Sequence, residues 1–316
     1  MARALDNVLV IGGSGFIGCS LVPRLALGAG KVTVLSRTGP NGDVQAGVPE
    51  NVSYVRGDFG DAAVLLPLLD SHDTVIHLAY ATVPNTSFDN PMADLTKNLV
   101  PAVSLFSEAA RRGCFLVLIS SGGTVYGEPR SIPLTEDQPM WPVSPYGVTK
   151  LTLEHYAHLY SVTHGLKFLC VRPANPYGPG QKPFAGQGFV ATAFGSALRG
   201  LPLDIYGEYG AIRDYIYIDD LASGIAELTF SGAIGQAFNL GSGVGRSNEE
   251  VVSVIRSVIH GDGLTLNVVK RPPRPFDVTT NILDCGRARQ LTGWEPAVSF
   301  DEGVRRTYEW MRARYG

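Results

Sequence analysis

Near the N-terminus, an apolar run, a glycine-rich turn and an amphipathic pattern follow one another in Val8-Leu9-Val10-Ile11-Gly12-Gly13-Ser14-Gly15-Phe16-Ile17-Gly18. This order predicts a β-strand, a tight turn and a helix that begins near Gly15. Glycine tolerates a positive φ and lets the backbone approach a pyrophosphate, while a helix N-terminus presents unpaired N–H groups to phosphates. We therefore predict a dinucleotide site shaped by Gly12, Gly15 and Gly18, although the spacing G-x-x-G-x-x-G departs from the commoner G-x-G-x-x-G.

A second motif supplies reactive side chains in Ser144-Pro145-Tyr146-Gly147-Val148-Thr149-Lys150. Residues four apart lie on one face of a helix, so the Lys150 ammonium is expected to lie near the Tyr146 phenol. A nearby positive charge favours phenolate, and moving a phenol pKa from about 10 to near 7 requires roughly 3 units, or about 4 kcal/mol. We interpret Tyr146 as a general base supported by Lys150. The alternative is a tyrosine at the rim of a pocket and a solvated lysine.

With both motifs present, the chain resembles the extended short-chain dehydrogenase/reductase superfamily and, within it, the UDP-glucose 4-epimerase-like proteins of the NAD-dependent epimerase/dehydratase family. Further segments carry the resemblance in the family's order: Gly57-Asp58-Phe59, His77-Leu78-Ala79, Ser120-Ser121-Gly122-Gly123-Thr124-Val125-Tyr126-Gly127, Arg172-Pro173-Ala174-Asn175-Pro176-Tyr177-Gly178-Pro179-Gly180 and Arg213-Asp214-Tyr215-Ile216-Tyr217-Ile218-Asp219-Asp220-Leu221. Several motifs in one order are more specific than any one of them.

Apolar runs alternate with helical patterns through the first half of the chain. We predict strands at 8–11, 31–35, 52–55, 74–78, 115–119 and 167–172. Continuous apolar strands joined by helices favour an α/β fold with a doubly wound parallel (Rossmann) sheet. We assign residues 1–172 to this dinucleotide-binding domain and 173–316 mainly to a smaller C-terminal α/β substrate-binding domain. The resemblance implies that part of 213–240 returns to the large sheet.

Two helix starts are readable in the second half of the chain. Ser247-Asn248-Glu249-Glu250 has the spacing of a capping box. The last helix is predicted to begin after Asp301.

The resemblance implies NAD as the cofactor, held by Gly12, Gly15, Phe16, Ile17, Ser36, Arg37, Asp58, Phe59, Leu78, Ala79, Tyr146, Lys150 and Pro173. Asp58 would hold the adenine amine, and the alternative is an aspartate that only forms a turn. Ser36 stands where NAD-dependent members usually place an acidic residue that bonds the ribose 2′-hydroxyl. Since Ser36 and Arg37 can instead accept a 2′-phosphate, NADP is an alternative cofactor.

The family's pattern is interrupted at one catalytic position. Alignment places Gly122 where a serine or threonine usually supplies a hydroxyl, and a positioned proton-transfer group contributes roughly 10²–10⁴-fold to the rate. Ser121, Thr124 or water must take this role, and we choose Ser121 as the third catalytic residue. His77 is interpreted as packing at a strand end. Asn98 is either an amide near the active site or a buried capping amide.

The resemblance also implies a substrate site in the second half of the chain. Asn175, Arg213, Arg274 and Asp277 match positions that hold a nucleotide diphosphate and its ribose, and arginine suits this role because its planar fork bonds two phosphate oxygens. An ordinary surface loop around Arg274 and core positions for the aromatic residues are the alternatives. With candidates for a uracil slot added, the predicted substrate residues are Thr124, Asn175, Phe189, Tyr206, Arg213, Arg274 and Asp277.

These residues together imply a nucleotide-sugar 4-epimerase that acts on a UDP-hexose. Tyr146 would remove the C4 hydroxyl proton while bound NAD takes the C4 hydride, and the transient 4-keto sugar would turn over before hydride returns to its other face. The alternatives are an NADPH-dependent nucleotide-4-ketosugar reductase, a sugar dehydrogenase, or a non-catalytic dinucleotide-sensing protein. The resemblance also implies a homodimer whose subunits pair through helices at 92–112 and 147–163.

Composition argues against several other classes of protein. The 316 residues are 45% hydrophobic and 17% charged, which is typical of a globular protein. A formal net charge of −3 without a basic cluster argues against a nucleic-acid partner, and no run approaches the ~18 apolar residues of a membrane helix. The first apolar run is too short for a signal peptide. Since Cys19, Cys114, Cys170 and Cys285 lack metal-site spacing, we expect no metal and a reducing cytoplasm.

Overall fold

Strands and helices alternate along the computed structural model, which describes residues 5–39, 48–274 and 277–316. The strands are β1 Leu5–Ile11, β2 Ala29–Ser36, β3 Val52–Arg56, β4 Thr74–His77, β5 Phe115–Ile119, β6 Lys167–Pro173, β7 Asn175–Tyr177, β8 Leu203–Tyr206, β9 Ile212–Tyr217, β10 Gln236–Leu240, β11 Gly245–Ser247, β12 Val268–Arg271 and β13 Thr280–Asn281. The helices are α1 Phe16–Ala26, α2 Ala62–Asp70, α3 Pro84–Asp89, α4 Pro91–Asp94, α5 Val100–Arg112, α6 Pro145–His164, α7 Phe189–Arg199, α8 Ile218–Ser231, α9 Asn248–Ile259, α10 Gly286–Thr292 and α11 Phe300–Tyr315. A π-helical turn, Leu95–Leu99, joins α4 to α5, and a 3₁₀ turn, His260–Asp262, follows α9.

Seven strands form one parallel sheet in the order β3-β2-β1-β4-β5-β6-β10. All six strands predicted from the sequence are present, with bounds that differ by three residues at most. Their apolar runs are continuous because helices cover both faces of the sheet, and every residue of β5 is buried. The prediction of a doubly wound parallel sheet in an α/β fold is confirmed.

Helices cover the two faces of this sheet with separate apolar clusters. On one face α1 and α8 contribute Leu21 and Leu221, and on the other α2, α5 and α6 contribute Leu65, Phe106 and Leu153. The order of the strands reverses between β1 and β4. In such sheets a crevice opens at the carboxyl ends of the strands on either side of the reversal, and ligands bind there.

A smaller second core follows β6. Strand β9 pairs with β7, β11 and β13, and β8 pairs with β12. Helices α7, α9 and α11 supply Phe194, Ile255 and Met311 to its apolar interior. Between these elements the chain re-enters the large sheet, where β10 pairs with β6, whereas β9 stays in the small sheet. The chain therefore passes repeatedly between the two cores.

The two predicted helix starts have different outcomes. The capping box is confirmed, because Ser247 Oγ accepts from the Glu250 N–H at 3.2 Å and Glu250 Oε2 accepts from the Ser247 N–H at 2.7 Å. The predicted start of the last helix is wrong. Helix α11 begins at Phe300, because the Ser299 hydroxyl accepts from the Glu302 N–H at 3.3 Å and caps it earlier. Across the described ranges, no helix combines the length and apolar character needed to cross a bilayer.

Candidate active site

The turn between β1 and α1 packs closely against the residues after β4. Gly12 has a φ of +86°, and a Cβ there would lie 2.7 Å from the Ala79 backbone nitrogen. A Cβ on Gly18 would lie 2.4 Å from the Gly13 carbonyl oxygen, so only glycine lets α1 approach the turn this closely. Gly15 at the N-cap has no side chain to cap α1, which leaves the first N–H groups available to phosphate. The turn fits a pyrophosphate.

Hydroxyl groups and arginines gather at the carboxyl ends of β2 and β3. Ser36 Oγ lies 2.8 Å from Ser14 Oγ, beside the glycine turn. Arg37 is exposed, and its carbonyl accepts from Arg56 Nε at 3.1 Å. This edge therefore combines hydroxyl groups with two positive charges, which is the chemistry that the alternative of a ribose 2′-phosphate requires.

Residues after β3 and β4 have packing roles in the protein itself. Asp58 is exposed and its Oδ1 accepts from the Gly60 N–H at 2.9 Å, which is the contact expected of an aspartate that forms a turn. The ring of Phe59 meets His77 edge to face, with 5.2 Å between ring centres. Burial and the nearby Lys150 charge lower the pKa of His77 to about 3, so the imidazole is neutral. This agrees with the interpretation of His77 as packing.

The other predicted cofactor residues lie at the start of α1, after β4 and at the end of β6, and they are Phe16, Ile17, Leu78, Ala79 and Pro173. The N–H groups of Leu78 and Ala79 both donate to the Ile11 carbonyl, at 2.9 and 3.0 Å. These bonds hold the segment after β4 against the glycine turn, at the point where the strand order reverses.

The three predicted catalytic residues converge beside this crevice. Tyr146 lies in the first turn of α6, and the Ser121 hydroxyl from the loop after β5 lies close enough to the phenol to lower the pKa of Tyr146. Lys150 lies one helical turn later, with its Nζ 5.7 Å from the centre of the Tyr146 ring. The same Nζ donates to the Ile119 carbonyl at 2.9 Å.

The electrostatics at Tyr146 differ from the expectation drawn from the sequence. Burial and the Asp94 carboxylate raise the pKa of Tyr146, and only the hydrogen bond with Ser121 lowers it. Burial lowers the pKa of Lys150 to about 8. Lys150 does not lower the pKa of Tyr146 as expected, because its ammonium bonds the Ile119 carbonyl instead of the phenol. The protein groups alone keep Tyr146 protonated at neutral pH.

Position 122 has no room for the hydroxyl side chain that the family usually places there. A Cβ on Gly122 would lie 2.6 Å from Leu283 Cδ1 and 2.9 Å from a backbone carbonyl oxygen of β6. Ser121, one residue earlier, supplies the hydroxyl that reaches Tyr146. Thr124 Oγ1 is buried, and no described residue hydrogen-bonds it.

Gly122→Ser is therefore expected to lower the free energy of unfolding by about 1–3 kcal/mol, because the new side chain must displace a backbone oxygen. Gly123→Ser is the matched control, since a Cβ there meets its nearest neighbour at 3.6 Å and we expect a cost of about 1 kcal/mol or less. Urea unfolding of both variants measures the difference. Equal midpoints would contradict the crowding at Gly122.

Four of the predicted substrate residues lie together at the edge of the second core. The Arg274 guanidinium carbon lies 4.2 Å from the centre of the Tyr206 ring, and Arg274 donates two hydrogen bonds to the Asp277 carboxylate, at 2.8 and 3.1 Å. Burial lowers the pKa of Arg213, which also feels the charges of Asp277 and Arg274. Two guanidinium groups that affect each other electrostatically form a candidate site for a diphosphate.

The remaining substrate candidates lie on other elements. Asn175 Nδ2 donates to the Asp214 carbonyl at 3.0 Å, near the loop that carries Gly123. Phe189 opens α7 and packs against the second core, whereas Tyr206 ends β8. The two aromatic candidates for a uracil slot therefore come from separate elements.

Sequence reasoning missed Tyr80, which touches two of the catalytic residues. Its ring centre lies 4.9 Å from that of Tyr146, edge to face, and 4.1 Å from Lys150 Nζ. Its position directly after the His77-Leu78-Ala79 motif could have indicated that Tyr80 lies near the site.

Sequence reasoning also missed Asp94, a fully buried carboxylate. It accepts from Thr149 Oγ1 at 2.5 Å and from the Thr82 hydroxyl. Asn98 donates to the Asp94 carbonyl at 2.9 Å and accepts from the Ala81 N–H at 2.7 Å, as a buried capping amide does. The spacing of Asp94 and Asn98, one helical turn apart, was the available signal.

Comparison with known proteins shows which family shares this arrangement. A model described as the NAD dependent epimerase/dehydratase family matches residues 8–241. The chain belongs to that family. The resemblance predicted from the sequence motifs is confirmed.

Relatives in this family span the whole chain. The UDP-glucose 4-epimerase of Mycolicibacterium smegmatis is 35% identical over 317 residues, which cover 97% of this chain and 98% of the relative. The Thermotoga maritima UDP-glucose 4-epimerase, solved with UDP-glucose, is 30% identical with a TM-score of 0.87, and the match covers 97% of this chain and 99% of that one. The Streptomyces venezuelae dTDP-glucose 4,6-dehydratase, solved with NAD, is 28% identical with a TM-score of 0.89, covering 98% and 97%. Both epimerases and dehydratases therefore share this fold.

Proposed function

We propose that this family member is a nucleotide-sugar 4-epimerase that acts on a UDP-hexose. The observation that carries the proposal is the Tyr146 phenol, bonded by Ser121 and followed by Lys150, beside a glycine turn shaped for a dinucleotide. The relatives named UDP-glucose 4-epimerase support this reaction, and the structure solved with UDP-glucose supports this class of substrate.

The crevice fits NAD as the cofactor. When bound, NAD accepts and returns a hydride and, in its oxidised form, contributes positive charge. Gly12 and the N-terminus of α1 would hold its pyrophosphate, Ser36 the adenosine ribose and Lys150 the nicotinamide ribose. The NAD-bound dehydratase structure supports this choice of cofactor.

The side chains have separate tasks in the proposed reaction. The Tyr146 phenolic oxygen takes the proton of the C4 hydroxyl, and Ser121 donates to the same sugar oxygen and orients it. Lys150 would hold the nicotinamide ribose, and the positive charge of oxidised NAD, once bound, would lower the pKa of Tyr146. The second core, within 173–316, would hold the nucleotide and sugar, and Thr124 of the large domain would contribute to the same site. The residues of the second core are Asn175, Phe189, Tyr206, Arg213, Arg274 and Asp277.

A specific observation favours a second candidate, an NADPH-dependent 4-ketosugar reductase or sugar dehydrogenase. The hydroxyls of Ser14 and Ser36 and the charges of Arg37 and Arg56 lie at the edge where a ribose 2′-phosphate would bind. Such an enzyme consumes or produces reduced cofactor with every turnover, whereas a 4-epimerase has no net redox change. This difference separates the two candidates.

The test is incubation with UDP-glucose, UDP-galactose and their N-acetylated counterparts without added reductant. NMR follows the stereochemistry at C4, and absorbance follows reduced nicotinamide. Interconversion of a C4 pair at constant absorbance is the expected result. Oxidation of added NADPH by a 4-ketosugar, with no interconversion of any pair, would replace the epimerase by the reductase.

Ser121→Ala is expected to slow the C4 interconversion by ~10-fold or more, because the sugar oxygen loses a positioned donor. Thr124→Val is the comparison, since Thr124 is the other nearby hydroxyl. Turnover numbers and thermal midpoints of both variants are measured together. If Thr124→Val turned over slowly and Ser121→Ala turned over at the normal rate, Thr124 would be the donor to the sugar oxygen.

Ser36→Asp is expected to shift the relative affinity towards NAD by ~1–3 kcal/mol, because a carboxylate bonds the 2′-hydroxyl and repels a 2′-phosphate. Thr38→Asp adds the same charge two residues further along, at an exposed position, and controls for long-range electrostatics. Titration of NAD and NADP into each protein measures the ratio. An unchanged ratio in Ser36→Asp would exclude this edge as the ribose site.

We also propose a homodimer formed through the helical segment at 92–112 and through α6. Large apolar side chains on these helices are exposed, with Met92 at 65%, Val100 at 64% and Val162 at 73%. Apolar groups gathered on a surface indicate an interface with another chain. Sedimentation of Val162→Glu against the unmodified protein tests this pairing.

A further inference from the structure

The Lys150 ammonium lies where burial favours its neutral form. Lys150 is only 4% exposed, and burial lowers the pKa of its ammonium to about 8. An ammonium has three N–H donors, and one of them is used by the Ile119 carbonyl at 2.9 Å. Other groups must compensate the remaining loss of hydration if the lysine is to stay charged.

The face of the Tyr80 ring covers a second side of the ammonium. Lys150 Nζ lies 4.1 Å from the centre of this ring, well within the ~6 Å over which a cation is attracted to an aromatic face. The edge-to-face contact with Tyr146, at 4.9 Å and 67°, fixes the ring between the two catalytic side chains. Tyr80 therefore contributes electrostatic attraction without taking a proton or forming an ion pair.

Among the titratable groups around the ammonium in the described ranges, one carboxylate supplies an uncompensated negative charge. Glu154 pairs with Arg172 at 2.6 Å, so its charge is largely compensated. Burial raises the pKa of the Cys170 thiol well above its usual value, and His77 is neutral because its pKa is about 3. Asp94 remains, and its charge raises the pKa of the lysine.

The position of Asp94 is fixed by hydrogen bonds to three side chains. Thr149 Oγ1 donates to Asp94 Oδ2 at 2.5 Å. Asn98 Nδ2, at 3.2 Å, and the Thr82 hydroxyl both donate to Asp94 Oδ1. Thr149 directly precedes Lys150 in α6. Asp94 thus connects the helical segment after β4 to the turn of α6 that carries the lysine.

We propose that Tyr80 and Asp94 are positioning residues that keep Lys150 charged and directed towards the crevice, Tyr80 through its aromatic face and Asp94 through its charge and its bond to Thr149. The effect on turnover rests on the proposed function. The charge state of Lys150 does not, so it is measurable in a protein of any activity.

Titration of [ε-¹³C]lysine-labelled full-length protein by NMR tests the proposal. The chain has six lysines, and Lys150→Arg identifies the signal of Lys150. We expect Tyr80→Leu and Asp94→Asn each to lower the Lys150 midpoint by about 1 pH unit, while Tyr80→Phe, which keeps the ring, leaves it within about 0.3 unit. Tyr209→Leu, at an exposed tyrosine, is the control.

Should Tyr80→Leu fail to fold, Tyr80→pentafluorophenylalanine keeps the ring shape and reverses its quadrupole, so the same lowering is expected. An unchanged Lys150 midpoint in Tyr80→Leu or in the pentafluorophenylalanine variant would overturn the role of Tyr80. An unchanged Lys150 midpoint in Asp94→Asn would overturn the role of Asp94. In the active enzyme, the alkaline limb of kcat/KM is expected to move to lower pH by the same shift, because activity is lost as Lys150 deprotonates. Shifted NMR midpoints in a protein without epimerase turnover would refute the proposed function and leave this inference standing.

Discussion

Tyr146→Phe is expected to reduce turnover by at least ~10²-fold while the fold and the cofactor affinity are retained. The phenyl ring keeps its edge-to-face contact with Tyr80 and loses only the hydroxyl that Ser121 bonds. Because burial and Asp94 raise the pKa of Tyr146, turnover of the unmodified enzyme is expected to rise with pH as the phenolate fraction grows, up to the pH near 8 at which Lys150 deprotonates. Steady-state rates across pH, thermal midpoints and cofactor titrations provide the measurements.

Tyr160→Phe is the matched control, because Tyr160 lies on the same helix and contacts His164 away from the crevice. We expect this variant to turn over normally. If Tyr146→Phe also kept a near-normal rate, the proton would be taken by another group, and Tyr146 would not be the base.

Arg172→Met is expected to lower the free energy of unfolding by about 3–5 kcal/mol, because it leaves the Glu154 carboxylate buried without its partner. Arg172 Nε lies 3.1 Å from both oxygens of Glu154, and Nη2 donates to Glu154 Oε2 at 2.6 Å. Nη1 donates to the Tyr126 hydroxyl at 2.9 Å and to the Glu136 carbonyl at 3.0 Å. Both partners of the pair are more than nine-tenths buried. Urea unfolding at neutral pH measures the loss.

Arg271→Met provides the contrast at the surface. Its pair with Asp204, at 3.0 Å, is largely exposed, and such pairs contribute about 0–1 kcal/mol. A double variant, Arg172→Met with Glu154→Leu, should recover most of the stability, since an apolar pair of similar volume often replaces a buried ion pair without loss. A cost for Arg172→Met no larger than that for Arg271→Met would show that the buried pair is not needed.

The large sheet was predictable because its strands obey a local rule. Buried parallel strands such as β5 are apolar at every position, so they stand out against the helices that follow them. The glycine turn was equally readable, since Gly12 and Gly18 sit where any side chain would strike backbone. Patterns of this kind need only neighbouring residues to be recognised.

The surroundings of Tyr146 were not predictable in the same way. Asp94 lies 55 residues before Thr149 and accepts a hydrogen bond from its hydroxyl. Only the packing of two helices brings these residues together. The ring of Tyr80 carries no pattern that distinguishes a tyrosine beside a lysine from one in an ordinary core. The raised pKa of Tyr146 follows from these long-range contacts, so the motif alone led to an expectation of the opposite sign.

The repeated passage of the chain between its two cores limits how the two cores can move relative to each other. A hinge works best across one flexible connection, but here the return through β10 is joined by a bridge between Leu134 and Leu283 and by a bond from Asn281 to the Gly122 carbonyl at 3.0 Å. Moving the two cores apart would break all of these contacts at once. These contacts are therefore expected to keep the crevice walls at one spacing, and under the proposed 4-epimerase reaction the hexose would have to rotate within that width. If the proposed function is correct, the width of the sugar, and not the rate of a domain closure, would then decide which hexoses are accepted.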